Sequence, residues 1–365
     1  MIKFLGNVLL MFFSFLLALV LFEFGLRMFA PQVVNCKINY EWRADDPVLP
    51  YVPKPNYHGK MVVKDQFSAD LTTNAQGFRA TKDISVARTP GVRRLLFLGD
   101  SFVFGWGVND NEVFSSVVEK ELSGAPDAKP VEVINAAVYG FDIVQYFEMF
   151  NRIIQYAPDV LFLGFTLEND FNITPLQTDV TTKSIRIEVE NDFKYKFRNF
   201  INRLHLVTLI RDRLYIHFPR IRNFMLSLGV NHKRDIFLKD YPASLRESMR
   251  KTEEILKQMK SVCDQRKVRF VVLLIPLREQ VYCRNEINRF PGFDTEKPNK
   301  TLKTILDRNK IESIDFLPLL LATSKQSPNR LYFDTDPHWT KYGHEVAAQQ
   351  IVDFLRGSGH EKQLS

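Results

Sequence analysis

Two short stretches of this chain hold the side chains that could carry out covalent chemistry. Val92 to Leu98 reads Val-Arg-Arg-Leu-Leu-Phe-Leu, an apolar strand that breaks at once into Gly99-Asp100-Ser101. Far downstream, Asp336-Pro337-His338 precedes a strongly helical C-terminal stretch. Brought together, the hydroxyl, the imidazole and the carboxylate would form a nucleophilic serine site. The ring takes the hydroxyl proton and the carboxylate orients the ring. The position of Ser101 says more than the letters around it. A sharp turn between a buried strand and Phe102-Val103-Phe104-Gly105 would expose the hydroxyl at a helix start, where backbone N–H groups favour developing negative charge. A loop serine that caps Phe104 is the structural alternative. The surroundings are not a Gly-x-Ser-x-Gly elbow.

The elements that must position these groups alternate from Val92 onward. Strands are expected at Leu95 to Leu98, Val131 to Val138, Asp159 to Thr166, Val268 to Ile275 and Ile314 to Leu317. Helices are expected at Glu112 to Leu122, Asp142 to Tyr156, Leu245 to Cys263 and Tyr342 to Leu355. Strands apolar on both faces and separated by helices predict an α/β fold, a three-layer αβα sandwich around a mostly parallel sheet. Ligands in such sheets collect beyond the carboxyl ends of the strands, where Ser101 stands.

The first 90 residues read differently. Phe4 to Phe22 carries no charge and would span about 28 Å as a helix, close to the hydrocarbon thickness of a bilayer. Val20-Leu21-Phe22 is too bulky for a signal-peptidase site, so residues 1–30 read as a membrane anchor in preference to a cleaved signal segment. Residues 31–90 read as a linker that then lies over the domain surface, because Pro47, Pro50, Pro53 and Pro55 oppose long regular elements. A turn at Gly77 would place Phe78 inward, and Arg79 is expected to pack rather than bind.

Residues 91–358 form the expected catalytic domain, with a helical insertion at 171–240 and a tail at 359–365. Within the insertion, Asn191 to Val230 is basic, aromatic and helical in flavour. It reads as a lid, as a patch lying against a membrane, or as a helical insertion packed on the sheet. The net charge of +7, from 49 basic and 42 acidic residues, is spread along the chain with no nucleic-acid arm, so no nucleic-acid partner is expected. Cys36, Cys263 and Cys283 are widely spaced and allow at most one disulfide. Neither they nor the histidines have metal-ligand spacing, and no metal or organic cofactor is expected.

Over about residues 70 to 356 the chain resembles the SGNH (GDSL-type) hydrolases, in particular their membrane-anchored or exported bacterial members. Four blocks stand in the family's order. They are Leu98-Gly99-Asp100-Ser101-Phe102, Asn135-Ala136-Ala137-Val138-Tyr139-Gly140, Gly164-Phe165-Thr166-Leu167-Glu168-Asn169-Asp170 and Asp336-Pro337-His338-Trp339-Thr340. The resemblance implies Ser101 as nucleophile, His338 as base and Asp336 as its orienting acid. It also implies an oxyanion hole from the Ser101 and Gly140 N–H groups and the Asn169 amide. Many family members carry the acid three residues before the base. Anchored polysaccharide-acetylating relatives share the Asp-x-His-Trp spacing seen here, and Asp334 is a rival orienter. Asn169 could instead cap a turn. Asp170 is assigned to turn stabilisation, His344 to packing at the start of the last helix, and Arg278 to a substrate contact or a surface ion pair.

On this resemblance the expected activity is serine-dependent hydrolysis of an acyl ester, on an O-acylated (acetylated) envelope glycan or a small ester. An O-acyltransferase that moves an acetyl group onto a polysaccharide is the alternative, and a non-catalytic carbohydrate-binding protein on the same fold is another. The implied location is the bacterial cytoplasmic (inner) membrane. The chain would cross the lipid bilayer once through residues 4–22, hold its body on the extracytoplasmic side and work beside envelope acylation machinery.

Overall fold

The structure is a computed structural model that describes residues 2–30, 32, 41–63, 66–124, 129–171, 197, 200–201, 204–222, 234–334 and 336–357. The chain divides into two compact units. One comprises Met1–Lys37, Asp179–Val230 and Asp334–Pro337, and the other Ile38–Thr178, Asn231–Phe333 and His338–Ser365. The elements in chain order begin with α1 (Ile2–Phe29), β1 (Arg43–Ala44), β2 (Val52–Pro53), β3 (His58–Val63) and β4 (Phe67–Thr72). Then come β5 (Arg93–Leu98), α2 (Ser101–Phe104), α3 (Phe114–Ser123), β6 (Val131–Asn135), α4 (Ile143–Ile153), β7 (Val160–Thr166) and α5 (Leu167–Asp170). After α6 (His205–His217) follow α7 (Ala243–Gln265), β8 (Arg269–Ile275), α8 (Arg278–Tyr282), α9 (Arg284–Asn288) and α10 (Lys297–Arg308). The chain closes with β9 (Glu312–Asp315), α11 (Leu317–Gln326) and α12 (Lys341–Gly357).

In the larger unit β5 to β9 form one sheet in the order β6-β5-β7-β8-β9, with every neighbouring pair parallel. Leu95 to Leu98, Val160 to Phe165 and Phe270 to Ile275 are almost wholly buried. That burial is why these strands read as continuous apolar runs. Helices cover the sheet in two pairs, α3 with α12 and α4 with α7. The α/β sandwich expected from the sequence is present.

Several boundaries moved for local reasons. β6 stops at Asn135, whose amide donates to the Val103 carbonyl (2.8 Å) and the Ser115 hydroxyl (3.1 Å) while its oxygen accepts from Ala137 N–H (3.2 Å). Such side-chain bonds draw a strand out of its ladder. The chain still tracks β5, because Ala136 N–H donates to Phe97 and Val138 N–H to Gly99. The last strand ends at Asp315, which accepts from Leu317 N–H at 3.0 Å and so opens α11. In the proline-rich extension, Met61-Val62-Val63 finds a partner that the sequence reading did not name. β3 and β4 pair antiparallel from His58↔Thr72 to Val63↔Phe67. Gly77 has φ +78° and Phe78 is buried, as expected.

In the smaller unit, α1 is the one helix among the described residues long and apolar enough to cross a membrane. It packs against α6, whose first N–H groups, from His205 and Leu206, donate to the Glu23 carboxylate at 3.0 and 2.8 Å. A carboxylate there satisfies donors that the helix itself leaves open. Residues 172–196 and 223–233 of the expected insertion lie outside the described residues, as do Cys36 and the tail.

Candidate active site

β5, β6 and β7 are adjacent in the sheet, and each ends in one block of the candidate site. Asp100 links β5 to α2 as its N-cap and accepts from Phe102 N–H at 2.9 Å. Ser101 is therefore the first helical residue, and the α2 N–H groups around it have no acceptor within the helix. The cap in this turn is Asp100, not the serine. α2 closes on Gly105 at φ +84°. Arg79 fixes the loop beyond it, donating to the carbonyls of Phe104 (2.7 Å), Gly105 (2.6 Å) and Val108 (2.6 Å) and to Asp110 (2.9 Å). Arg79 packs, as expected, and does so as a buried strut.

The Nε2 atom of His338 stands 2.6 Å from the Ser101 hydroxyl oxygen. The two residues are 237 positions apart in sequence, and both are buried. The imidazole lies among the rings of Phe102 (5.0 Å), Tyr139 (6.1 Å) and Trp106 (6.4 Å). The His338 carbonyl accepts from Phe333 N–H, which pins the loop that delivers the ring. Asp336 is buried and Asp334 is exposed, so of the two rival acids only Asp336 is withdrawn from solvent.

Gly140 follows β6 with φ +74°, and a Cβ there would meet the Tyr51 hydroxyl at 2.9 Å. Glycine is needed at this point both for its backbone angle and for the close approach. Asn169 sits in α5, directly after β7. Its amide donates to the Phe141 carbonyl at 2.8 Å and reaches the Asp100 carboxylate at 3.5 Å. Asn169 thus bridges the residue before Ser101 and the residue after Gly140. Asp170 turns its carboxylate onto Thr166 N–H at 2.7 Å, the turn-stabilising role expected of it. Burial, reinforced by the charge of Asp100, holds the Asp170 carboxyl well above the usual range, and burial also raises that of Asp100. His344 is fully buried and its Nδ1 accepts from Phe114 N–H at 3.2 Å, so it packs. Among the described residues, no group of three or more His, Cys, Asp or Glu side chains could hold a metal ion.

Residues 237–364 match the family model described as SGNH hydrolase-like domain, acetyltransferase AlgX. That match covers the C-terminal third of the chain, including His338 but not Ser101, Gly140 or Asn169. A comparison with curated proteins finds no match. Among solved structures the chain is similar to Axe2, an acetylxylan esterase from Geobacillus stearothermophilus. The identity there is 15% and the TM-score 0.40, over 73% of this chain and 94% of that one. It is also similar to TesA, at 10% identity and TM-score 0.41, over 73% of this chain and 99% of that one.

Around the candidate site the structure adds residues to which the sequence reading gave no role. The Tyr51 hydroxyl donates to the Tyr139 carbonyl at 2.6 Å, and the Arg43 guanidinium lies 3.6 Å from the centre of the Tyr51 ring. Trp42 is fully buried between Phe104 (5.2 Å) and Tyr139 (6.3 Å). The only signal for them was the aromatic content of an extension that looked like a linker. Arg278 opens α8 and is half-buried, with its guanidinium over the Tyr282 ring at 5.8 Å.

Proposed function

We propose that this chain is a serine-dependent acyl-ester hydrolase. His338 Nε2 takes the Ser101 proton as the serine oxygen attacks the ester carbonyl, and Asp336 orients the ring. The Ser101 N–H, the Gly140 N–H and the Asn169 amide stabilise the oxyanion. Collapse of the tetrahedral intermediate breaks the bond to the alcohol, which leaves with the proton from His338, and an acyl-serine remains. Water, deprotonated by His338, then releases the acid and restores the hydroxyl.

The 2.6 Å approach of His338 Nε2 to the Ser101 hydroxyl carries this reading. It is within the range a general base needs. The substrate we infer is an O-acetylated envelope glycan or a small ester, with Arg278 as a further contact. Its Nε is buried without an acceptor among the described residues. Residues 4–22 would hold the chain in the cytoplasmic membrane with its body outside, beside envelope acylation machinery.

Acyl transfer to a sugar hydroxyl is the second reading, favoured by the acetyltransferase in the description of the matched family model. The two differ only in what attacks the acyl-serine. Acetyl release from a panel of esters, measured with and without oligosaccharide acceptors, separates them. Acceptor-independent release supports the hydrolase. Release that appears only with acceptor, together with acetylated oligosaccharide, overturns it for the transferase.

A further inference from the structure

α6 is built inside out for a helix in water. Its buried side chains include His205, Thr208 and Tyr215, while Ile210 (49% exposed) and Leu214 (38%) face outward, with Phe218 (53%) and Ile221 (37%) just beyond its end. Val207, Ile210 and Leu214 recur every three or four residues, so they share one side of α6. Val207, Ile210, Arg211, Leu214 and Ile221 line a shallow groove of about 270 Å³. An aliphatic stripe left outward while polar groups turn inward marks a surface that another apolar phase covers.

The covering phase follows from where α6 starts. The uncharged run Phe4 to Phe22 is about 28 Å long as a helix, which fills the hydrocarbon layer and brings Glu23 to its boundary. Glu23 is the residue that receives the first N–H groups of α6, and it pairs with Arg27 at 2.9 Å. Gln32 N–H, just beyond α1, donates to His205 Nδ1 at 2.8 Å and ties the same end again. With Phe4 to Phe22 across a bilayer, α6 would begin at headgroup level. From His205 to Arg222 the chain carries four arginines, at 211, 213, 220 and 222, against one aspartate. Exposed apolar residues flanked by arginines suit the boundary between acyl chains and anionic headgroups.

We propose that α6 and the residues to Arg222 lie on the surface of an anionic phospholipid bilayer, their aliphatic stripe in the acyl boundary and their arginines on lipid phosphates. α1 and α6 then form one membrane-seated body joined at Glu23. This inference does not depend on the chemistry at Ser101.

The test uses the full chain in nanodiscs of phosphatidylcholine and phosphatidylglycerol, with or without bromine on the acyl chains. A tryptophan is added singly by Phe218→Trp or Ile210→Trp, with Val86→Trp as a solvent-exposed control. All three positions are exposed, and gel filtration checks folding. Emission of the unsubstituted chain is subtracted. The expected result is that the tryptophans at 218 and 210 emit to the blue of the control and lose most of their added emission in brominated lipid, while the control loses none. Added emission unchanged by bromination at both positions overturns the proposal, including when cross-linking shows a second copy covering the stripe. Extraction of the full chain by alkaline carbonate would also overturn it.

Discussion

Asn169 donates its side-chain amide to the Phe141 carbonyl at 2.8 Å, across the gap between the segments that follow β6 and β7. One amide hydrogen is thereby fixed. The other faces Asp100 at 3.5 Å, the outer limit of a hydrogen bond, and is easily redirected to a stronger acceptor such as an oxyanion. Replacement of Asn169 by Ala should therefore lower kcat by roughly 10² to 10³ while acyl-serine still forms. Steady-state kinetics on an activated acetyl ester measure this. An unchanged kcat would remove Asn169 from the oxyanion hole.

Gly140 is held from the opposite side. With φ at +74° and the Tyr51 hydroxyl 2.9 Å from where a Cβ would stand, Gly140→Ala must shift the Tyr139-Gly140 segment. A displacement of about 1 Å at a reacting centre costs up to roughly a hundredfold in rate. The expected signature is a fall in kcat with little change in KM. Tyr51→Phe, which removes only the 2.6 Å bond to the Tyr139 carbonyl, should give a smaller fall of the same kind.

Arg79 is a structural prediction rather than a catalytic one. Its guanidinium is buried and binds the carbonyls of Asp70, Phe104, Gly105 and Val108 as well as Asp110. Arg79→Leu leaves those acceptors and Asp110 without their donor, at about 3–5 kcal/mol. Denaturant unfolding reads the loss directly. Arg79→Lys should recover little of it, since an ammonium cannot span the same fork.

His344 sets an acid limit on the fold. Burial is the main cause that pushes its pKa down to about 3, and its Nε2 has no partner among the described residues to share a proton. The unfolded chain binds that proton near pH 6.5 and the folded chain only near pH 3. The stabilising contribution is thus complete above about 6.5 and is lost as the pH falls toward 3, by roughly several kcal/mol in all. His344→Asn, whose oxygen can still accept from Phe114 N–H, should flatten the dependence of the urea midpoint on pH in that window. An equally steep profile in the variant would assign the acid sensitivity elsewhere.

The sheet was legible because its strands are buried on both faces, and a run such as Val160-Leu161-Phe162-Leu163 has no other reading when helices flank it. The places of Ser101, Gly140 and Asn169 beyond strand ends were legible for a related reason, since each follows an apolar strand. Helices α10 and α11 were missed, because α10 is strongly polar on its outer face and α11 begins where a strand was expected to continue. The Tyr51–Tyr139 bond and the place of Trp42 could not be read from spacing. They depend on a short, proline-broken ribbon returning to the sheet, a tertiary event with no local period. Asp336 was the preferred acid and Asp334 its rival; Asp336 is buried and Asp334 is exposed.

Mass spectrometry of the intact chain after brief exposure to an activated acetyl ester tests the central claim most directly. The unsubstituted chain should gain one acetyl group, located on the peptide containing Ser101. Ser101→Ala should gain none and lose at least about a thousandfold in turnover, and His338→Ala should acylate far more slowly. An adduct on any other residue, or undiminished hydrolysis by Ser101→Ala, would contradict the account.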